Sequence, residues 1–110
     1  MTRSKPSHVA PTPCCTLRLS IEDEGRLVEL FKALGSPIRF EILKYLVTHP
    51  DCITGDIVSV LPIAQATVSQ HLKVLRATGW IVAAPDGPAT CYQLNEPTVK
   101  WFREVIGEIF

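Results

Sequence analysis

Apolar residues recur every three or four positions through most of this chain, and the runs break where glycine, proline or serine intervenes. Leu27, Leu30, Phe31 and Leu34 share one helical face. Ser20, with Asp23 three residues on, opens that run as a capping-box-like start, and Gly35 stops it. Ser36-Pro37 restarts the chain as an N-cap followed by a first-turn proline. Ile38, Ile42, Leu43, Leu46 and Val47 then form the inward face of a second helix, which ends before Pro50. A short third helix fits Thr54 to Val60, closed by Leu61-Pro62. A fourth runs from about Ala64 to Thr78, with Gly79 just past its end. The runs WIVAA and ATCYQL are β-prone and flank Pro-Asp-Gly-Pro, the pattern of a hairpin. Asn95 caps a last helix with apolar positions Val99, Phe102, Ile106 and Ile109, and with Trp101 and Val105 beside them.

Two helices joined by a tight turn and followed at once by a hairpin form a helix-turn-helix with a wing. The expected fold is therefore mainly α: a winged helix-turn-helix of about five helices and a two-stranded β-hairpin. Residues 1–19, with Pro6, Pro11 and Pro13, read as a flexible N-terminal arm, and residues 20–110 as one domain with terminal dimerisation helices. The first and last helices keep apolar surface after a small core is covered. That surface, Leu27, Leu30 and Phe31 with Phe102, Ile106 and Ile109, suits pairing with a second copy, so a homodimer is expected.

Charge alters this picture only through its distribution. The net charge is zero, but residues 61–84 hold Lys73 and Arg76 and no acid, while the acids collect in 20–35 and 85–110. No run of about 18 apolar residues exists and the basic start lacks an apolar stretch, which predicts a cytoplasmic protein with no membrane partner. In the fourth helix, if Val68 points to the core, the helical step turns Leu72 and Leu75 inward too. Ala66, Gln70 and Lys73 then face outward, flanked by Thr67, Ser69 and Arg76. A solvated surface would look similar, but an acid-free face directly after a tight turn favours double-stranded DNA: Gln and Ser suit base edges, Thr, Lys and Arg phosphates or bases.

Four cysteines, Cys14, Cys15, Cys52 and Cys91, are many for a small chain in a reducing compartment. Cys14 and Cys15 are adjacent in a polar, proline-rich tail with no core to fill. Thiolates without imidazole select soft ions. Trivalent arsenic and antimony favour three sulfurs in a trigonal pyramid, and Cys52, immediately before the helix-turn-helix, is placed to be the third. Cys91 alternates with Tyr92 and Leu94 on the second hairpin strand and reads as packing or a spare thiol. The alternative ion is zinc or cadmium, held by the same cysteines with His8 or Asp56 as fourth ligand. A thiol-redox switch is a further alternative. Catalysis is disfavoured: no C-x-x-C occurs, and the residues six beyond the cysteines (Ser20, Ile21, Val58 and Pro97) include no arginine for a thiol-phosphatase loop.

The segments LFKALGSPIRFEILKYL and ATVSQHLKVLRATGWI, with the hairpin ending CYQLN, resemble the ArsR/SmtB family of metal-responsive winged-helix repressors. The resemblance covers roughly residues 27–95. It implies a homodimer joined by its first and last helices, with residues 65–73 in the major groove of an operator. The implied DNA-contacting set is Gln65, Thr67, Ser69, Gln70, His71, Lys73 and Arg76. A vicinal cysteine pair in the arm with one cysteine near the third helix resembles arsenite-sensing members. That implies Cys14, Cys15 and Cys52 as the inducer site for arsenite or antimonite, with no organic cofactor. Two features depart from the family's pattern. Its usual Ser at the start of the reading helix is Ala64 here, and the wing tip, Pro85-Asp86-Gly87-Pro88, has no arginine.

Overall fold

The computed structural model describes residues 18–50 and 52–110. Residues 1–17 of the expected N-terminal arm, Cys14 and Cys15 included, lie outside these residues. Three of the helix starts are set by side-chain caps that the sequence announces. Ser20 Oγ accepts from the Asp23 N–H at 3.0 Å and opens α1 (Ile21–Leu34). Ser36 Oγ accepts from the Arg39 N–H at 3.3 Å, with Pro37 at the first position of α2 (Pro37–Thr48). Asn95 Oδ1 accepts from the Thr98 N–H at 3.5 Å and starts α5 (Glu96–Ile109). Between these lie β1 (Cys52–Ile53), α3 (Thr54–Val60), α4 (Gln65–Thr78), β2 (Ile81–Asp86) and β3 (Ala89–Leu94).

The helix-turn-helix and hairpin stand as expected, so the fold is a winged helix-turn-helix. The hairpin carries one addition, a short antiparallel β1 paired to the far side of β3, which gives the strand order β1-β3-β2. A two-residue strand offers too little alternation to be read from sequence. The hairpin is also longer than expected. β2 runs through Pro85 to Asp86, and only Gly87 and Pro88 remain as the turn. β2 is an edge strand, where proline is tolerated. Gly87 has φ +60°, and proline holds Pro88 near −65°, the sign pattern of a two-residue II′ hairpin turn.

The core joins all the helices to the base of the wing. Leu30, Ile42, Leu46, Ile57, Val68, Leu72, Leu75 and Ile81 are fully buried. Val47 departs from its expected inward place and is 66% exposed, at the edge of the stripe that Ile42, Leu43 and Leu46 bury. Leu27 and Leu30, expected on an open interface, are buried inside the chain. Leu30 packs in the core against residues of α2 and α4. α5 meets α1 through other side chains: Arg26 Nη2 donates to Thr98 Oγ1 at 3.2 Å, the same guanidinium lies 4.2 Å from the Trp101 ring, and Phe31 meets Phe102 edge-on.

Trp80 stands where these parts meet. Left-handed Gly79 (φ +98°) ends α4 and turns the chain, and the Trp80 N–H then donates to Leu75 O at 3.0 Å. Its indole Nε1–H donates to Leu30 O of α1 at 3.0 Å, and its ring packs edge-on against Phe102 of α5 at 4.9 Å. Trp80→Phe removes the indole bond and part of the packing while keeping an aromatic ring. It should lower the unfolding free energy by about 1–2 kcal/mol in chemical denaturation followed by circular dichroism; an unchanged midpoint would show that the indole does not tie α1 to α4.

Candidate nucleic-acid interface

The burial pattern of α4 divides it lengthwise. Val68, Leu72 and Leu75 are at most 1% exposed, so one stripe of the helix is locked into the core. Gln65, Ala66, Thr67, Ser69, Gln70, Lys73 and Arg76 are all exposed. α4 contains no acidic residue, and among the described residues neither Lys73 nor Arg76 has an ion-pair partner. By contrast Lys32 and Lys44 are paired at the surface with Glu29 and Glu41. The two cations of α4 are therefore available to a polyanion, beside short side chains able to hydrogen-bond to base edges.

The segment before α4 holds this face in place. Ile57 of α3 is fully buried, and Leu61 and Ile63 of the turn pack on the core. Ala64 supplies no side-chain cap, as its lack of a hydroxyl predicts; the first turn is closed through its carbonyl, which accepts from the Thr67 and Val68 N–H groups at 3.0 and 3.1 Å.

His71 differs from the other six residues expected to meet DNA. It is half-buried, and its Nδ1 lies 3.3 Å from Nη1 of Arg39 on α2. Arg39 also donates from Nε to Ala33 O at 2.8 Å and from Nη2 to Lys32 O at 3.4 Å, at the C-terminal end of α1. Sequence reading missed this residue, although a signal was present. A cation in the first turn of a helix, with no acid beside it, sits at the unfavourable end of that helix's dipole. The carbonyls ending α1 supply the compensation.

Of the cysteines expected to hold an ion, Cys52 is a backbone position in β1, two residues ahead of the start of α3. The ladder puts Cys52 across from Tyr92 and Ile53 across from Cys91. Positions along a strand alternate between faces, so positions 52 and 91 belong to opposite faces of the sheet. Among the described residues no three His, Cys, Asp or Glu side chains cluster to hold a metal. The wing tip is exposed and presents Asp86 and no cation.

These features agree with what the chain is similar to. The family model "Bacterial regulatory protein, arsR family" matches residues 36–81, the stretch from the α2 cap to the start of the wing. An uncharacterised HTH-type transcriptional regulator of Methanocaldococcus jannaschii is 30% identical over 89 residues, 81% of this chain and the whole of that protein. The chain belongs to the arsR family of bacterial regulatory proteins. The HTH-type transcriptional repressor SmtB of Mycobacterium tuberculosis is 36% identical over 68 residues, 62% of this chain and 50% of the repressor. Among solved structures, HlyU from Vibrio cholerae superposes with a TM-score of 0.68 at 26% identity, covering 83% of this chain and 98% of HlyU. Its reduced form gives 0.65 at 27%, covering 81% and 93%. This ArsR-family chain is accordingly a DNA-binding regulator of transcription and not an enzyme. Among its described residues no helix is long and apolar enough to cross a membrane.

Lys73 and Gln70 separate the two kinds of DNA contact. Lys73→Ala should weaken binding to every sequence and make log K against log salt shallower by about one. Gln70→Ala should instead cost about 1–3 kcal/mol of discrimination at a single base pair. Fluorescence anisotropy across salt concentrations and point-substituted operators reads both, and unchanged values for both variants would remove α4 from the groove.

Proposed function

We propose that this regulator is a repressor that grips its operator as a homodimer, with Gln65, Thr67, Ser69, Gln70, His71, Lys73 and Arg76 of α4 on the DNA. Trivalent arsenic or antimony bound by Cys14, Cys15 and Cys52 releases it. The observation that carries the inducer reading is the place of Cys52 in the chain. It lies in β1, which leads directly into α3 and is bonded to the wing strand β3. An ion that ties residue 52 to the N-terminal cysteines thus acts at the entrance of the helix-turn-helix and at the base of the wing together. The donor chemistry supports a soft, three-sulfur ion, since the set contains thiols only. Cys91 of β3 stands outside the proposed set.

Release requires the ion to bind the DNA-free arrangement more tightly than the DNA-bound one. A coupling of about 1–3 kcal/mol corresponds to a roughly 5–150-fold loss of operator affinity, and DNA must weaken ion binding by the same factor. Mobility shifts with arsenite, antimonite, zinc, cadmium and peroxide side by side test the reading. Arsenite and antimonite should release wild-type protein. Cys14→Ser, Cys15→Ser and Cys52→Ser should each still bind the operator but stay bound with arsenite, and Cys91→Ser should respond like wild type. Release by zinc or cadmium alone, or an arsenite response that survives all three substitutions, would overturn it. A second reading, a thiol-redox switch using the same cysteines, is supported by the likeness to HlyU, which is known in a reduced form. Release by peroxide and not by arsenite would favour it.

The homodimer reading rests on apolar side chains that α1 and the end of α5 leave uncovered. Ile21 and Phe110 are almost fully exposed, and Val28 and Phe31 are 43% and 44% exposed. Val28 and Phe31 lie on one side of α1, three residues apart, and form the natural seam. Replacing both with Asp should yield a folded monomer in sedimentation that no longer binds a palindromic operator. Wild-type protein that sediments as a monomer would contradict the homodimer.

A further inference from the structure

We propose that Arg39 is a positioning residue for DNA recognition: it holds His71 as a neutral imidazole whose Nε2–H is offered to an acceptor on the operator. This rests on the reading that α4 enters the groove. A guanidinium has donors and no acceptor, so in the 3.3 Å contact with Arg39 Nη1 the His71 Nδ1 must accept, which leaves the ring proton on Nε2. Arg39 has little freedom to leave that contact. Its Nε is bonded to Ala33 O, its Nη2 to Lys32 O, and its own backbone N–H to the Ser36 cap. The guanidinium fork is thus anchored at the end of α1 and spends its remaining arm on α4.

The position of His71 on α4 fits the role. At about 100° per residue, position 71 falls between buried Leu75 and exposed Thr67, on the border of the DNA-facing surface. With Nδ1 engaged by Arg39, the distal ring edge carrying Nε2 is the part left for an outside partner, and His71 is only half-buried. The pairing also sets the charge of the contact. A neutral donor adds a directed hydrogen bond without neutralising a phosphate, so it releases no counterion, unlike Lys73 or Arg76.

The test measures operator affinity across salt concentrations for wild type, Arg39→Met, His71→Ala and the double variant. It adds nitrogen-detected imidazole spectra of free wild type and Arg39→Met. Each single substitution should weaken binding roughly 3–10-fold, the loss of one hydrogen bond, and the double variant should be no weaker than the weaker single. The salt slope of His71→Ala should match wild type. The spectra should show Nε2 protonated and Nδ1 bare in wild type, and mixed tautomers in Arg39→Met. On operators carrying methylphosphonates or 7-deazapurines, the His71→Ala penalty should vanish on one set, which marks the acceptor as phosphate or base. Losses that multiply, a His71→Ala slope shallower by about one, a proton on Nδ1 in wild type, or a penalty that survives both modified operators would overturn the proposal. If Arg39→Met fails to fold without its hold on α1, His71→Ala keeps those bonds and carries the test. A loss in Lys73→Ala with none in His71→Ala defeats this proposal alone; no loss in either defeats the reading of α4.

Discussion

The arrangement of this protein depends on Trp80. Its backbone closes the end of α4 onto Leu75, and its carbonyl accepts from the N–H of Asn95, the residue that caps α5. Its indole reaches Leu30 of α1 and its ring meets Phe102 of α5. One residue, through its backbone and its side chain together, therefore links the reading helix, the base of the wing and both terminal helices. A buried indole whose N–H is bonded stabilises through apolar area and satisfies a polar atom that would otherwise be costly.

Arg39 forms a second link of the same kind, from the last carbonyls of α1 to His71 of α4. Between them, Trp80 and Arg39 grip α4 at its C-terminal end and near its middle. The N-terminal half of α4 is held by Val68 in the core and by the turn carrying Leu61 and Ile63. This leaves the exposed side of the helix without structural duties. Its polar residues can thus be chosen for a partner, and the lack of any acid there agrees with a polyanionic one.

Much of this was legible in the sequence, because it rests on local rules. Ser20, Ser36 and Asn95 announce their helices through side-chain oxygens, Gly79 ends α4 through a left-handed φ, and Val68, Leu72 and Leu75 recur with helical period. What was not legible depends on contacts between distant residues. The two-residue β1 exists only because β3 lies beside it. Leu30 is buried because α2 and α4 pack against α1, which no pattern within α1 records. Val47 has helical spacing with the core yet faces outward, since periodicity marks a face and not how much of it the neighbours cover. The role of Arg39 needed three-dimensional placement, although its charge at the wrong end of a helix was a visible anomaly. Of the cysteines, the sequence supplies the chemistry and the fold supplies the setting of Cys52, a backbone position that joins the helix-turn-helix to the wing.

In the proposed switch three thiolates, Cys14, Cys15 and Cys52, hold the inducing ion. X-ray absorption at the arsenic edge, on full-length protein loaded with one equivalent of arsenite, tests it most directly. The account predicts three sulfur neighbours and no nitrogen or oxygen in wild type, with one sulfur lost in Cys52→Ser and none lost in Cys91→Ser. A shell containing nitrogen or oxygen, or three sulfurs retained when Cys52 is replaced, would contradict it.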